Sequence, residues 1–140
     1  MKFLVTGLGS MGKRRIRCLQ ALGYKDVAGF DLRQDRREES QQKYGIKTYG
    51  DVSLAVKDFG PDAFIISVPP GVHHEYMKLA IKNKKHFFVE ASVVDTDLES
   101  IEKSLAHLDI VAAPSSTMTF HPAIRRIAEI VNSGELGTIS

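Results

Sequence analysis

Phe3-Leu4-Val5-Thr6-Gly7-Leu8-Gly9-Ser10-Met11-Gly12 decides how the chain is read. A short apolar run, a G-x-G-x-x-G string and then residues at helical spacing spell a strand, a tight glycine turn and a helix. Asp31 stands about twenty residues further on, at the end of a second apolar run, Val27-Ala28-Gly29-Phe30. In this context Gly7 lets the chain turn out of its strand, Gly9 presents backbone without a Cβ, and Gly12 lets the helix approach the sheet. The free N–H groups at Ser10, Met11 and Gly12, with the positive end of the helix dipole, suit a diphosphate. Asp31 suits the hydroxyls of an adenosine ribose, with Leu32, Arg33 and Arg36 around it. The alternative is a glycine-rich turn with no ligand.

Outward from that unit, strand and helix patterns alternate. Gly12, Ile16, Leu19 and Gly23 line one side of the first helix, with Met11, Cys18 and Leu22 beside them. Arg15 falls inside this apolar arc, so its guanidinium either snorkels into solvent or reaches the ligand cleft. Residues 33–43 contain no apolar side chain, which predicts an exposed second helix held mainly through Tyr44 and ended by Gly45. Ile46–Tyr49 reads as a third strand, and Asp51 caps a helix carrying Leu54, Ala55 and Phe59. Ala63–Val68 is nearly all apolar, as a central parallel strand buried on both faces should be, and Pro69-Pro70-Gly71 stops it. A helix follows from about Val72 to Lys84, then a fifth strand, His86–Glu90. Thr96-Asp97-Leu98-Glu99 reads as a capping box ahead of an inward stripe of Leu98, Ile101, Leu105 and Leu108. Ile110–Ala113 is a sixth strand, and Pro122 opens a last helix with Ile124, Ile127, Ile130 and Val131 inward, closed by Gly134. The expected fold class is α/β: a Rossmann doubly wound, mostly parallel six-stranded sheet in the order 3-2-1-4-5-6, with helices on both faces. Its ligand cleft gathers the glycine turn, Asp31, the Ser67-Val68-Pro69-Pro70 turn and Glu90-Ala91 at the carboxyl ends of the strands.

Composition bounds the remaining classes. At 140 residues, with 43% hydrophobic and 26% charged residues, the chain is one ordinary globular domain. No apolar run suggests a membrane span or a secretory signal, so the expected compartment is cytoplasmic. Cys18 is the only cysteine, which excludes an internal disulfide, and it reads as a small buried hydrophobe. A net charge of +2 is too small to argue for nucleic acid, and the basic clusters around Arg14 and Arg36 adjoin the phosphate site. His73, His74 and Glu75 lack a third ligand at metal spacing, so no metal is expected. His73 is either a cofactor contact or a plain helix-start residue.

Four stretches together resemble the amino-terminal domain of the glucose-fructose oxidoreductase / inositol dehydrogenase (Gfo/Idh/MocA) family. They are Gly7–Arg14, Ser67-Val68-Pro69-Pro70-Gly71-Val72-His73, Lys85–Glu90, and Phe120-His121-Pro122-Ala123 with Gly134-Glu135-Leu136-Gly137. The resemblance implies an NAD(P)-dependent oxidoreductase acting on a sugar, polyol or sugar nucleotide, with a second domain that binds substrate and builds homo-oligomers. On this reading residues 1–136 are the dinucleotide-binding domain and 137–140 begin a substrate domain that the chain lacks, so the chain alone binds NAD without turnover. Asp31 favours NAD, while Arg33 and Arg36 keep NADP open. Glu90-Ala91-Ser92 stands where the family carries Glu-Lys-Pro, and Thr117 and Thr119 stand where many members carry asparagine and arginine. Alanine cannot polarise a substrate oxygen or relay a proton, which leaves a non-catalytic dinucleotide sensor or scaffold as the rival reading and the catalytic residues unassigned.

Overall fold

A computed structural model describes residues 1–92, 94–135 and 137. Among these the strands are β1 (Phe3–Thr6), β2 (Val27–Phe30), β3 (Lys47–Tyr49), β4 (Ala63–Ile66), β5 (His86–Val89) and β6 (Ala112–Pro114). The helices are α1 (Ser10–Ala21), α2 (Gln34–Tyr44), α3 (Val52–Phe59), α4 (His73–Lys82), α5 (Leu98–Leu105) and α6 (Pro122–Ser133). Single 3-10 turns run over Pro70–Val72 and Thr117–Phe120. All strand pairs are parallel and the sheet order is β3-β2-β1-β4-β5-β6, the doubly wound topology. Leu136, the last residue of the expected dinucleotide-binding domain, and Thr138–Ser140, where the chain resembles the start of a second domain, lie outside the described residues.

Strands β1, β2 and β4 are buried along their whole length because the sheet is covered on both faces. The pleat sorts their side chains. Phe3, Val5, Val27 and Ile65 meet Ile16 and Leu19 of α1, whereas Leu4, Phe64 and Ile66 join Met77 and Ala80 of α4 and Ile101 of α5. The first helix sits unusually close to the sheet. A Cβ built on Gly12 would lie 1.8 Å from the Gly7 carbonyl oxygen, and Gly7 itself holds φ +88° with its own Cβ position 2.7 Å from the Ser67 carbonyl. Only glycine fits either place.

Several elements depart from the sequence reading. Cys18 is exposed, and Leu22 is 74% exposed because α1 ends at Ala21 and Leu22 falls in the cap beyond it. The stripe that meets the sheet is narrower: Gly12, Ile16 and Leu19. Helix α2 is largely exposed, as its polarity dictates, and Tyr44 packs on the core cluster beneath α1, with further attachments beside it. The Ser40 side chain is fully buried, and the Arg37 guanidinium donates to the carbonyls of Asp31 and Leu32, both at 2.8 Å. Gln20 of α1 adds a bond to the Tyr44 carbonyl. No capping box forms at α5: Asp97 is the cap residue in a left-handed conformation, and its carboxylate pairs with Lys78 of α4 instead. That ammonium holds the Asp97 carboxyl below the usual carboxylate range.

Strand β6 begins later than the apolar run suggests. The Val111 N–H donates to His86 Nδ1 at 2.9 Å and its side chain is exposed, so pairing starts at Ala112 and ends on Pro114, which an edge strand tolerates. Helix α6 runs from Pro122 to a left-handed Gly134, with His121 Nδ1 accepting the Ala123 N–H at its start. Its apolar stripe is not packed inward among the described residues: Ile127 is 54% exposed. Periodicity says which face of a helix is apolar, not what covers it.

Replacing Gly12 with alanine drives a methyl group into the Gly7 carbonyl, so Gly12→Ala is expected to destabilise the domain by about 3 kcal/mol or more. A urea midpoint, followed by circular dichroism, that matches the unsubstituted chain contradicts this packing.

Candidate functional site

The residue that follows each strand except β3 donates its N–H to the neighbouring strand. Asp31 bonds Tyr49, Gly7 bonds Phe30, Ser67 bonds Thr6, Glu90 bonds Ile66 and Ser115 bonds Val89 through their carbonyls, at 2.8–3.2 Å. The sheet therefore presents these five residues in one row along its carboxyl edge, where doubly wound folds place their ligands. At the first three, a cavity of about 570 Å³ opens between the start of α1, the end of β2 and the turn after β4.

Its floor is the glycine turn. Gly9 is the N-cap of α1, no side chain caps this end, and the first helical N–H groups have no partner within the helix. A Cβ built at Gly9 would meet only the tip of Arg36, at 3.7 Å, so the backbone there is bare and open. The carboxylate of Asp31 is 6% exposed and ties the turn to β2. Its Oδ2 accepts the Leu8 N–H at 2.8 Å, and its Oδ1 accepts the Arg33 N–H at 2.9 Å. Arg36 Nη1 lies 3.4 Å from Oδ2. A carboxylate has about four acceptor positions, so Asp31 keeps capacity for a further donor. Opposite, the buried hydroxyl of Ser67 has no hydrogen-bond partner.

Of the residues singled out from sequence, Gly7, Gly9, Ser10, Met11, Asp31, Leu32, Arg33, Arg36, Ser67, Val68 and Pro69 line this cavity. Gly12 lies beneath it as the contact between helix and sheet. Pro70, His73, Glu90 and Ala91 line a second cavity instead, about 480 Å³ between α4, α5, β5 and β6. His73 is 5% exposed, and its Nε2 lies 2.8 Å from the Val68 carbonyl. A carbonyl only accepts, so Nε2 carries the proton, and the ring clamps the turn from behind. Glu90 is engaged by Arg15. The Arg33 guanidinium forks onto Asp35, which raises the one and lowers the other.

Phe30, Val72 and Tyr76 also line the cavity and were not singled out. The available signal was spacing: Tyr76 stands four positions after Val72, on one face at the start of a helix that leaves a central strand. The Phe30 and Tyr76 rings are 6.0 Å apart, and burial first, then the charges of Glu75 and Asp31, push the Tyr76 phenol up.

No group of three or more histidine, cysteine or acidic residues is placed to hold a metal among the described residues, and no helix there is long and apolar enough to cross a membrane.

Residues 1–110 match the profile of the Gfo/Idh/MocA oxidoreductase family, described by its NAD-binding Rossmann fold. The chain belongs to this family. It is 27% identical over 140 residues to 4-carboxy-2-hydroxymuconate-6-semialdehyde dehydrogenase of a Sphingobium species, covering 97% of this chain and 44% of that one. Among solved structures, myo-inositol 2-dehydrogenase from Lactobacillus plantarum superposes with a TM-score of 0.89 at 22% identity, over 99% of this chain and 43% of that one. A probable dehydrogenase from Thermotoga maritima gives 0.83 at 26% identity, over 98% and 42%. The chain thus spans less than half the length of these relatives. The family's NAD-binding Rossmann fold accounts for the bare helix start, the glycine turn and the acid after β2.

A raised phenol pKa means that the folded state holds its proton more tightly, so stability falls as pH climbs through the alkaline range above the ordinary tyrosine value. Titrating phenolate absorbance is expected to show two late-ionising tyrosines, Tyr76 and Tyr49, the latter raised by burial and by its bond to the Asp58 carboxylate, of which Tyr76→Phe removes one; four tyrosines ionising together would contradict the burial of this ring.

Proposed function

We propose that this chain binds NAD(H) in the cavity above the glycine turn and serves as the cofactor domain of a longer oxidoreductase acting on a hydroxyl of a sugar, polyol or sugar nucleotide. The observation that carries the reading is the combination of an uncapped α1 start beside bare Gly9 with the Asp31 carboxylate fixed on the opposite wall. When bound, the nicotinamide accepts or returns a hydride. The chain's own residues bind and orient. The N–H groups of Ser10, Met11 and Gly12 face a diphosphate, and Asp31 accepts from ribose hydroxyls. Leu32, Val72 and Tyr76 offer an apolar wall to the adenine, and Ser67 an unpaired hydroxyl on the side of β4.

NAD is favoured over NADP because Asp31 repels a 2′-phosphate. The nearby cations do not reverse this, since Arg33 is paired with Asp35 and Arg36 leans on Asp31 itself. Residues 1–136 form the cofactor domain and 137–140 lead toward a substrate domain. That domain supplies the catalytic groups and the homo-oligomer contacts, so the chain alone binds without turnover. A cytoplasmic protein without nucleic-acid or membrane partners agrees with the small net charge and with Asp31 and Glu90 in the row of strand ends. The rival, a non-catalytic sensor or scaffold, draws support from Ala91, which sets a methyl group directly after Glu90 where the family carries its lysine.

Calorimetric titration tests this reading. NADH is expected to bind one to one with a Kd below about 1 mM, more tightly than NADPH. Asp31→Ala is expected to weaken NADH about tenfold and to narrow the gap with NADPH, as loss of charge-assisted hydrogen bonds should. No heat of binding with millimolar NADH, from protein that is folded by circular dichroism, sinks the proposal. In a protein that continues past Ser140, turnover of a polyol or sugar nucleotide favours the enzyme, and turnover that is absent, or unchanged on installing Ala91→Lys, favours the sensor.

A further inference from the structure

Arg15 carries a side chain that the dinucleotide cavity does not use. It stands in the second turn of α1, its guanidinium and the Glu90 carboxylate only 21% and 17% exposed. Arg15 Nε donates to Glu90 Oε1 at 2.6 Å, Nη2 lies 3.4 Å from Ser115 Oγ, and the guanidinium carbon sits 4.8 Å from the centre of the Phe88 ring. One planar cation thus touches the residue after β5, the residue after β6 and the outward face of β5 together. That geometry suits the rigid fork and flat face of arginine and not the point charge of lysine.

The contact matters because of what surrounds it. On this face α1 packs on β1, β2 and β4, while His86 and Phe88 of β5 are only half-buried. Glu90 is followed at once by Ala91, whose methyl group anchors nothing polar, and then by a loop leading to α5. Laterally, Glu90 hangs on the Ile66 carbonyl and Ser115 on the Val89 carbonyl. The described side-chain tie from this corner to α1 is Arg15.

We infer that Arg15 is a positioning residue. It locks the carboxyl ends of β5 and β6 to the helix that holds the diphosphate, and so sets the place of the wall against which the nicotinamide half of the dinucleotide lies. The inference rests on the proposed NAD(H) site and assigns Arg15 no contact with the cofactor. Because the clamp lies at the β5 and β6 end of the row, and Asp31, Leu32 and Tyr76 lie at the other, its loss should be felt by one half of the ligand only. Glu90 in turn is held as the clamp's anchor and not as a free carboxylate facing the ligand.

ADP-ribose and NADH separate the halves, since they share everything except the nicotinamide. In calorimetric titrations of the whole chain, Arg15→Gln is expected to raise the Kd for NADH about tenfold and to leave that for ADP-ribose within about twofold. Glu90→Gln, which keeps the shape of the side chain, should shift the same ratio in the same direction. The double variant should be no worse than Arg15→Gln alone, because both changes break one contact. Arg15→Lys should restore little of the loss. A merely structural role would weaken both ligands alike; equal changes in the two, or none in either, overturn the clamp. Failure of the unsubstituted chain to bind ADP-ribose overturns the dinucleotide reading itself, and the clamp with it.

Discussion

Everything in this domain is arranged around one close approach of backbone to backbone. The carbonyl of Gly7 occupies the space in which residue 12 would otherwise carry a side chain, and Gly7 is turned into a left-handed conformation against the Ser67 carbonyl. That approach brings the start of α1 onto the carboxyl ends of β1 and β4. It leaves the first N–H groups of the helix pointing into a cavity, not into a cap. A side chain at either glycine would push the helix outward and would close the cavity or empty it of donors.

A second layer of constraint holds the turn in register with the sheet. The Asp31 carboxylate accepts from the Leu8 N–H across the gap between β1 and β2, and Arg37 from α2 grips the carbonyls of Asp31 and Leu32. The acid that lines the cavity is therefore also part of the scaffold. His73 does comparable work behind the turn after β4, where it bonds the Val68 carbonyl. Apart from the exposed bond to the Leu32 carbonyl, these polar contacts are buried or half-buried, where a satisfied hydrogen bond is costly to lose. Helix α2, which has almost no apolar surface to contribute, is held in part by Arg37 and in part by Tyr44 on the core beneath α1.

Much of this was legible in the amino-acid string. Glycine spacing, an acid after the second apolar run, and apolar runs too continuous for a half-exposed sheet point to one topology, which the strand order bears out. The illegible parts share a physical character. A capping box at Thr96–Glu99 is locally sound, but Asp97, paired with Lys78 from another helix, becomes the cap residue and Glu99 pairs with Lys103. Ile110 and Val111 have strand character, but the His86 ring occupies the Val111 N–H, and pairing slides to Ala112. Cys18 and Leu22 extend an apolar stripe, but Cys18 is exposed and Leu22 falls past the end of α1.

The sequence by itself determined the order of elements, the glycine turn and the identity of the acid after β2, because each depends on steric rules that act over a few residues. Only the tertiary structure decided that Arg15 reaches Glu90 and Ser115, that Tyr76 joins the wall of the cavity, and that His73 and Ala91 face a different one. Those arrangements join side chains far apart in the chain. Their partners are chosen by how helices lie on a twisted sheet, a geometry that no local spacing encodes.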